Sequence, residues 1–326
     1  MEEIAFICPY FGKLPYNQTK LFIKTCSYNK NYKWFIITND ETKFNLPNNV
    51  QIIIKSFDEV KSIFQSKFDF KISLETPYKL CDFKPTYGYV FQDLIKNYKY
   101  WGYCDISDLL FGNLNKFISY DKIKNYDKVN FLGHLTLYKN TNANNRRFMT
   151  ETQSGRKLEN ILGVKGSMAF DELNEYSINT IWKEQKFNEM KIDELYDDIN
   201  PLKYKFQLSK YDDNLINYII KNANIIFLWK KGNLYEYSLK NRKITIKEIG
   251  YVHYQKRKMN FINIDDSIQE FLITPKGFVK NDGEINAKKI KKYSKNKFIY
   301  GPYFKLRFKN LKWKIKNRIG EKENIN

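Results

Sequence analysis

Several residue types and patterns are scarce in this chain of 326 residues. It has two histidines and four cysteines, and no two cysteines form a CxxC pair. A Cys/His zinc site is therefore not expected, and scattered single cysteines are typical of a reducing cytoplasm. No apolar run reaches about 18 residues, so we expect no membrane-spanning helix. The acidic start of the chain is not typical of a signal peptide.

Acidic residues are missing from one long stretch near the end of the chain. Between Lys288 and Arg318 there are thirteen Lys or Arg and no Asp or Glu, which leaves +7 of the formal net charge of +20 for everything else. Gly301-Pro302 is a favourable helix start, and apolar residues follow it at spacings of three and four. We expect a basic amphipathic helix that lies on an anionic membrane surface or packs on the body of the protein.

The rest of the chain has the composition of an ordered globular protein, with 42% hydrophobic and 17% aromatic residues. Two short apolar runs, Ile4–Cys8 and Trp34–Thr38, predict buried strands, Val50–Ile54 predicts a third strand, and Asn17–Ser27 has helical spacing. Strands and helices alternating at short intervals favour an open α/β sheet that binds ligands at the carboxyl ends of its strands.

Further elements follow with less regular patterns. We expect a helix, two strands, a mostly helical or irregular region and a hairpin, in the order Cys81–Lys96, Tyr100–Asp108, Val129–Tyr138, Glu172–Asn222 and Ile225–Ser238.

Two carboxylates end the strand predicted at residues 100–108. Asp105 and Asp108 follow an aromatic run and precede an apolar segment. Hard divalent cations such as Mg²⁺ and Mn²⁺ take oxygen ligands and leave room for a diphosphate. The pair therefore predicts a metal site, although a surface turn also uses Asp and Ser.

The distant His253 begins a second cluster. It is followed by Lys256, Arg257 and Lys258. A neutral imidazole could join the two acids on a metal, with Lys256 and Arg257 on phosphate oxygens. The alternative is a half-buried histidine at a strand end, beside solvated bases.

Three other positions have two interpretations each. Asp82 could cap a helix or bind a ribose hydroxyl, with Lys84 near phosphate. His134 is expected to pack in the core. Asp171 and Glu172 could act as a base or hold an acceptor sugar, although acids are also natural at a helix start.

Five blocks occur in an order that resembles a known group of enzymes. They are Pro9–Pro15, Phe35–Asp40, Tyr78–Pro85, Trp101–Asp105 and His253–Arg257. Together they are similar to the bacterial GT-A-type glycosyltransferases of capsule and lipopolysaccharide gene clusters, over roughly residues 4 to 260.

This resemblance implies a Rossmann-like GT-A fold with a mixed, mostly parallel sheet. It also implies a nucleotide-sugar donor, expected to be a UDP-sugar, and a Mn²⁺ or Mg²⁺ ion on an Asp-x-Asp motif. Asp105 matches the first acid of that motif, but Ser107 stands in the third place and the second acid falls at Asp108. The residues matching the loops around the nucleotide base are Pro9, Phe11, Gly12, Thr38, Asn39 and Asp40. Asp82 and Lys84 match the residues that hold ribose and phosphate.

The resulting expectation is a catalytic domain over residues 1–260 and a basic segment over residues 261–326. The enzyme would move a sugar to a glycan or lipid-linked acceptor, at the cytoplasmic face of the inner membrane. Asp171 or Glu172 would serve as base if the reaction inverts. Alternatives are a nucleotide-sugar hydrolase, a sugar-phosphate transferase, or a nucleic-acid-binding protein acting through its tail. The body has no nucleic-acid module, so we expect no nucleic-acid partner.

Overall fold

The computed structural model describes residues 3–106, 108–153, 155, 157–212, 214–255, 257–296, 301 and 308. Ser107, Lys256 and most of the helix predicted from Gly301 onward lie outside these residues. The chain divides into two compact units. The first comprises the chain up to Tyr196 together with Ile249–His253, and the second comprises Asp197–Glu248 and the chain from Tyr254 onward. None of the helices described is long and apolar enough to cross a membrane.

The strands are numbered in chain order. They are β1 (Ile4–Tyr10), β2 (Tyr32–Thr38), β3 (Val50–Ile54), β4 (Tyr100–Cys104), β5 (Leu109–Phe111), β6 (Lys128–Leu132), β7 (Leu135–Lys139), β8 (Glu189–Met190), β9 (Tyr196–Ile199), β10 (Leu208–Tyr211), β11 (Asn217–Ile220), β12 (Asn224–Lys230), β13 (Asn233–Lys240), β14 (Lys243–Ile249), β15 (Tyr251–His253), β16 (Asn260–Ile262), β17 (Glu270–Thr274) and β18 (Gly277–Lys280).

The helices are mostly short. They are α1 (Tyr16–Ser27), α2 (Phe57–Gln65), α3 (Leu80–Phe83), α4 (Tyr87–Val90), α5 (Gln92–Ile95), α6 (Asn115–Ile118), α7 (Tyr120–Ile123), α8 (Glu159–Leu162), α9 (Ile178–Glu184) and α10 (Ala287–Tyr293). Turns of 3₁₀ helix cover Pro77–Lys79, Lys84–Thr86, Asn144–Met149 and Asp193–Leu195.

The first unit contains a seven-stranded sheet in the order β3-β2-β1-β4-β7-β6-β8. The three runs predicted as strands are β1, β2 and β3, which pair in parallel, and β4 lies parallel to β1 on its other side. β7 is antiparallel to β4, so the sheet is mixed. The predicted α/β class is confirmed at this level: the protein has several mixed sheets flanked by helices.

Two predicted elements of the first unit are divided in the structure. The strand expected at residues 129–138 is two antiparallel strands, β6 and β7, joined at Gly133-His134. The helix expected at residues 81–96 is broken into α3, a 3₁₀ turn, α4 and α5. Pro85 has no N–H to donate within a helix. Gly88 lies so close to Trp101 that a Cβ there would be 2.1 Å from the indole ring.

The second unit contains a six-stranded sheet in the order β14-β13-β12-β17-β18-β16. The predicted hairpin is confirmed as β12 and β13, joined at Lys231-Gly232, where both residues have positive φ. The region expected to be mostly helical or irregular, residues 172–222, also contains four short strands, β8 to β11. This unit takes strands from both sides of residue 260, so its limits differ from the predicted division at that residue.

Candidate functional site

Three predicted metal ligands meet at the carboxyl end of β4. Asp105 follows β4 and Asp108 precedes β5, and β5 pairs antiparallel with β15 so that Leu109 lies opposite His253. One ligand atom from each of Asp105, Asp108 and His253 lies within 4.8 Å of the other two. His253 Nε2 is 3.7 Å from Asp108 Oδ2. Two carboxylates and an imidazole are donors that suit Mn²⁺ or Mg²⁺, so these residues fit the predicted ion, and its binding remains a prediction.

The charge on Asp105 is maintained by its neighbours. Burial by itself would raise the pKa of Asp105, but Lys84 and then His253 outweigh it and lower the pKa below its ordinary value. The side chain is 34% exposed, compared with 21% for Asp108 and 9% for His253. Asp105 is therefore ionised at neutral pH and reachable from solvent, as a ligand for a cation must be.

Lys84 connects Asp105 to a second carboxylate. Its Nζ lies 2.8 Å from Asp105 Oδ1 and 3.1 Å from Asp171 Oδ2, and it donates to the Gly133 carbonyl at 2.7 Å. Burial opposes the positive charge, but the two carboxylates outweigh burial and raise the pKa of Lys84 well above its ordinary value. The predicted phosphate contact of Lys84 is untested. In this structure Lys84 is a permanently charged link between two acids.

Asp171 has the properties of a base that works near neutral pH. Its side chain is 2% exposed. Burial, followed by the repulsion of Glu172, raises the pKa of Asp171 to about 7, although Lys84 acts in the opposite direction. A Cβ at Gly133 would lie 2.7 Å from Glu172 Oε1 and 2.9 Å from Asp171 Oδ2. Both carboxylates therefore lie next to Gly133. The predicted acids are thus joined to the predicted metal ligands through Lys84.

The two loops predicted to surround the nucleotide base lie together at the carboxyl ends of β1 and β2. Asn39 Oδ1 accepts from the Gly12 N–H at 2.8 Å, and Gly12 has a φ of 107°, which glycine adopts readily. Asp40 accepts from the Thr42 hydroxyl and from the Leu14 N–H, each at 2.7 Å.

These contacts hold the paired loops in place. Bonds from Thr42 and then Leu14 lower the pKa of Asp40 to about 2. The Thr38 hydroxyl accepts from the Asp40 N–H, and the Phe11 ring packs edge-on against Phe57. Pro9 lies opposite Ile37 in the β1–β2 pair. Nucleotide binding by these loops stays a prediction.

Tyr10 is a residue of this region that the sequence did not single out. Burial and then the charges of Asp108 and Asp40 raise the pKa of its phenol, so Tyr10 lies near the predicted metal ligands. Its place inside the Pro9–Pro15 block was the signal available in the sequence.

Asp82 has a structural role at the start of the segment that contains Lys84. Its side chain is fully buried and pairs with the equally buried Lys79 at 2.7 Å. It also accepts from the backbone N–H groups of Met168 and Phe170 at 2.8 and 3.1 Å. Lys79 donates to the Ile161 carbonyl as well. These contacts of Asp82 hold the chain that leads to Asp171, and ribose binding by Asp82 stays a prediction.

Arg257 is likewise occupied by protein groups. It belongs to the second unit, is 7% exposed, and donates to the carbonyl oxygens of Asn200 at 2.7 Å, Tyr204 at 3.1 Å and Lys203. Its guanidinium also lies over the Phe206 ring. The diphosphate contact of Arg257 stays a prediction, and Lys256 lies outside the described residues.

His134 is buried and packs against Tyr251, as the sequence indicated, and it also contacts the predicted metal ligands. Its ring centroid lies 4.2 Å from that of His253, and its carbonyl accepts from the Asp105 N–H at 3.1 Å. The Tyr251 hydroxyl is 3.2 Å from His134 Nδ1. The scarcity of histidine in the chain was the one signal that could have indicated this position.

Comparison with known proteins gives a family and one distant structural likeness. A family model described as a family of unknown function, DUF6625, matches residues 6–282. No curated protein matches the chain. Among solved structures, the chain is similar to the "Crystal structure of a glycosyltransferase involved in the glycosylation of the major capsid of PBCV-1", at 12% identity and a TM-score of 0.32, over 60% of this chain and 84% of that chain. A likeness at this level carries no statement about what the present chain does.

Proposed function

We propose that this chain, which belongs to the family of unknown function DUF6625, is a metal-dependent glycosyltransferase that uses a nucleotide-diphosphate sugar. The observation that carries the proposal is the cluster of Asp105, Asp108 and His253 within 4.8 Å, joined through Lys84 to the buried Asp171. Such a site combines groups for a cation with a group that can take a proton at neutral pH.

Each part of the site has a role in sugar transfer. Asp105, Asp108 and His253 would hold Mn²⁺ or Mg²⁺, which supplies positive charge for the departing nucleotide diphosphate. The loops joined by Gly12 and Asn39 would enclose the base of the donor, expected to be UDP. Lys84 keeps Asp105 ionised and holds Asp171 in place.

Asp171 would act on the acceptor in an inverting reaction. The acceptor hydroxyl oxygen forms a bond to the anomeric carbon while the bond from that carbon to the diphosphate oxygen breaks, and the hydroxyl proton passes to Asp171. A pKa of about 7 suits this transfer, because the group is partly ionised at neutral pH and becomes protonated by the reaction. A retaining course needs no such base.

The acceptor and location belong to the same proposal. A glycan or lipid-linked acceptor of surface polysaccharide synthesis would be presented at the cytoplasmic face of the inner membrane. The basic stretch from Lys288 to Arg318 supports peripheral binding there, since each Lys or Arg near an anionic lipid surface contributes about 1 kcal/mol.

A donor screen with a matched variant tests the proposal. In a thermal-shift screen of UDP-sugars, a UDP-sugar should stabilise the protein only when Mn²⁺ is present, and UDP should be released when an acceptor is added. Asp105→Asn should remove the Mn²⁺-dependent shift and the turnover, whereas Asp121→Asn, a change of the same kind on an exposed acid, should remove neither. Turnover by Asp105→Asn equal to that of the parent protein would refute the assignment. Release of free sugar without an acceptor would identify a nucleotide-sugar hydrolase instead.

A further inference from the structure

A cavity of about 540 Å³ lies in the first unit, away from the residues discussed so far. One wall is the segment Lys67–Phe70 with Tyr89, and the other comes from Met149, Glu151 and Lys157–Glu159. We call it the aromatic cavity. None of its lining residues is a predicted metal, nucleotide or base residue, and its volume falls in the range of small-molecule sites.

Three rings form the apolar part of the aromatic cavity. The Phe68 ring centroid lies 5.4 Å from that of Phe70 and 6.3 Å from that of Tyr89, and the Arg146 guanidinium lies 5.0 Å from the Tyr89 ring. Gln65 fixes the chain that carries two of them, because it donates to the Phe70 carbonyl and accepts from the Ile72 N–H. The rings are therefore held in place without a ligand.

Charged side chains of both signs surround these rings. The acids are Asp69, Glu151 and Glu159, all exposed, and the bases are the half-buried Lys67 and the exposed Lys157. A sugar has the matching chemistry, since its C–H faces pack on rings while its hydroxyls donate to carboxylates and accept from ammonium groups. Three carboxylates at the cavity would repel the phosphates of a nucleic acid, and charged side chains around the rings disfavour a lipid chain.

The same two segments run side by side from the aromatic cavity to the candidate site. Beyond the cavity, the Ser73 N–H donates to the Leu162 carbonyl at 2.7 Å, and Lys79 donates to the Ile161 carbonyl at 2.9 Å. Further along, Asp82 accepts from the Phe170 N–H, and Lys84 pairs with Asp171. The segments that line the cavity are therefore joined by hydrogen bonds and an ion pair to the segments that carry the proposed base.

We propose that the aromatic cavity binds a sugar unit of the acceptor glycan, at a distance from the unit that receives the new sugar. This inference rests on the proposed function, because it takes Asp171 as the point of transfer. It implies that the enzyme prefers an acceptor several units long, since only a longer acceptor can occupy both places.

Binding of defined oligosaccharides tests the inference apart from catalysis. Linear neutral and amino-sugar oligosaccharides of increasing length are titrated into the full chain by calorimetry. Asp69→Asn combined with Glu151→Gln should weaken binding roughly tenfold, the effect of losing charge-assisted hydrogen bonds. Glu75→Gln changes an exposed acid of the same segment that does not line the cavity, and it should bind like the parent. A Phe70→Ala variant, accepted only if its urea unfolding midpoint is unchanged, tests the apolar part.

The outcomes separate this inference from the proposed function. If nucleotide-sugar turnover does not depend on acceptor length and is unchanged in the Asp69→Asn/Glu151→Gln variant, the cavity does not bind the acceptor. The enzyme assignment is then unaffected. If the Asp69→Asn/Glu151→Gln variant binds oligosaccharides more weakly but the parent protein has no nucleotide-sugar turnover, the enzyme assignment is wrong. The cavity is then a carbohydrate-binding site. Absence of binding by every oligosaccharide overturns the cavity proposal. If turnover rises with acceptor length, and this dependence is lost in the Asp69→Asn/Glu151→Gln variant but kept in Glu75→Gln, the result supports both the enzyme assignment and the role of the cavity.

Discussion

Replacing Asp171 by Asn should make the protein more stable at pH 8 while removing the proposed base. The reason is that ionising the buried Asp171 lowers the free energy of unfolding of the protein. Its pKa rises from 3.8 to about 7 on burial, and each pKa unit corresponds to about 1.4 kcal/mol. The difference of about three units is an upper limit of about 4 kcal/mol. Asn stands in for the protonated carboxyl and avoids this cost.

The dependence on pH has a definite sign. Between pH 3.8 and about 7 the folded state holds a proton on Asp171 that the unfolded state has lost. The contribution of Asp171 to the free energy of unfolding therefore falls as pH rises through this window. Below pH 4 the acid is protonated in both states, and the advantage of Asp171→Asn should disappear.

Urea unfolding at pH 4, 5.5, 7 and 8 measures this difference, because groups common to both proteins cancel. The gap in the free energy of unfolding between Asp171→Asn and the parent should widen with pH and level off above pH 7. Asp121→Asn, at an exposed position, should show a gap that does not change with pH. A constant gap for Asp171→Asn would show that its carboxyl ionises normally, and the reasoning about the base would be wrong.

Three other changes have expected outcomes of their own. In an inverting reaction, kcat/KM should rise with pH up to about 7 as Asp171 loses its proton, and Asp171→Asn should lower kcat at least a hundredfold; a flat profile would favour a retaining course. Asp82→Asn should destabilise the fold by about 3–5 kcal/mol in urea unfolding, because it leaves the buried Lys79 unpaired, and an unchanged midpoint would contradict this. Truncation after Lys297 should release the protein from anionic liposomes in a sedimentation assay, and unchanged binding would refute the role of the tail.

The sequence could predict those parts of the fold whose patterns are local. Continuous apolar runs identified β1 and β2, because strands buried on both faces need apolar residues throughout. The run Val50–Ile54 identified β3 as well, although β3 lies at the edge of the sheet and is only partly buried. The prediction of one continuous helix at residues 81–96 was wrong. It followed the apolar spacing and gave too little weight to Pro85, which interrupts a helix, and it could not include the close approach of Gly88 to Trp101.

Proximity was predicted for the candidate metal ligands, and the contacts of Asp82, Arg257 and His134 were missed. Asp105, Asp108 and His253 meet as expected because β15 pairs with β5. The sequence around Asp82 and Arg257 does not show that their side chains hydrogen-bond to backbone groups distant in the chain. The contact of His134 with His253 also depends on how the β6–β7 turn folds back, which residue spacing does not encode.

The balance of charge at the site argues for an order of binding. Asp105 and Asp108 lie together, and Asp171 with Glu172 is joined to them through Lys84, whose single positive charge is shared between Asp105 and Asp171. A nucleotide diphosphate approaching these carboxylates would meet repulsion, which a divalent cation on Asp105 and Asp108 would reverse. Donor binding should therefore follow cation binding. In the thermal-shift screen, a UDP-sugar alone should leave the melting temperature unchanged, Mn²⁺ alone should raise it, and the two together should raise it further.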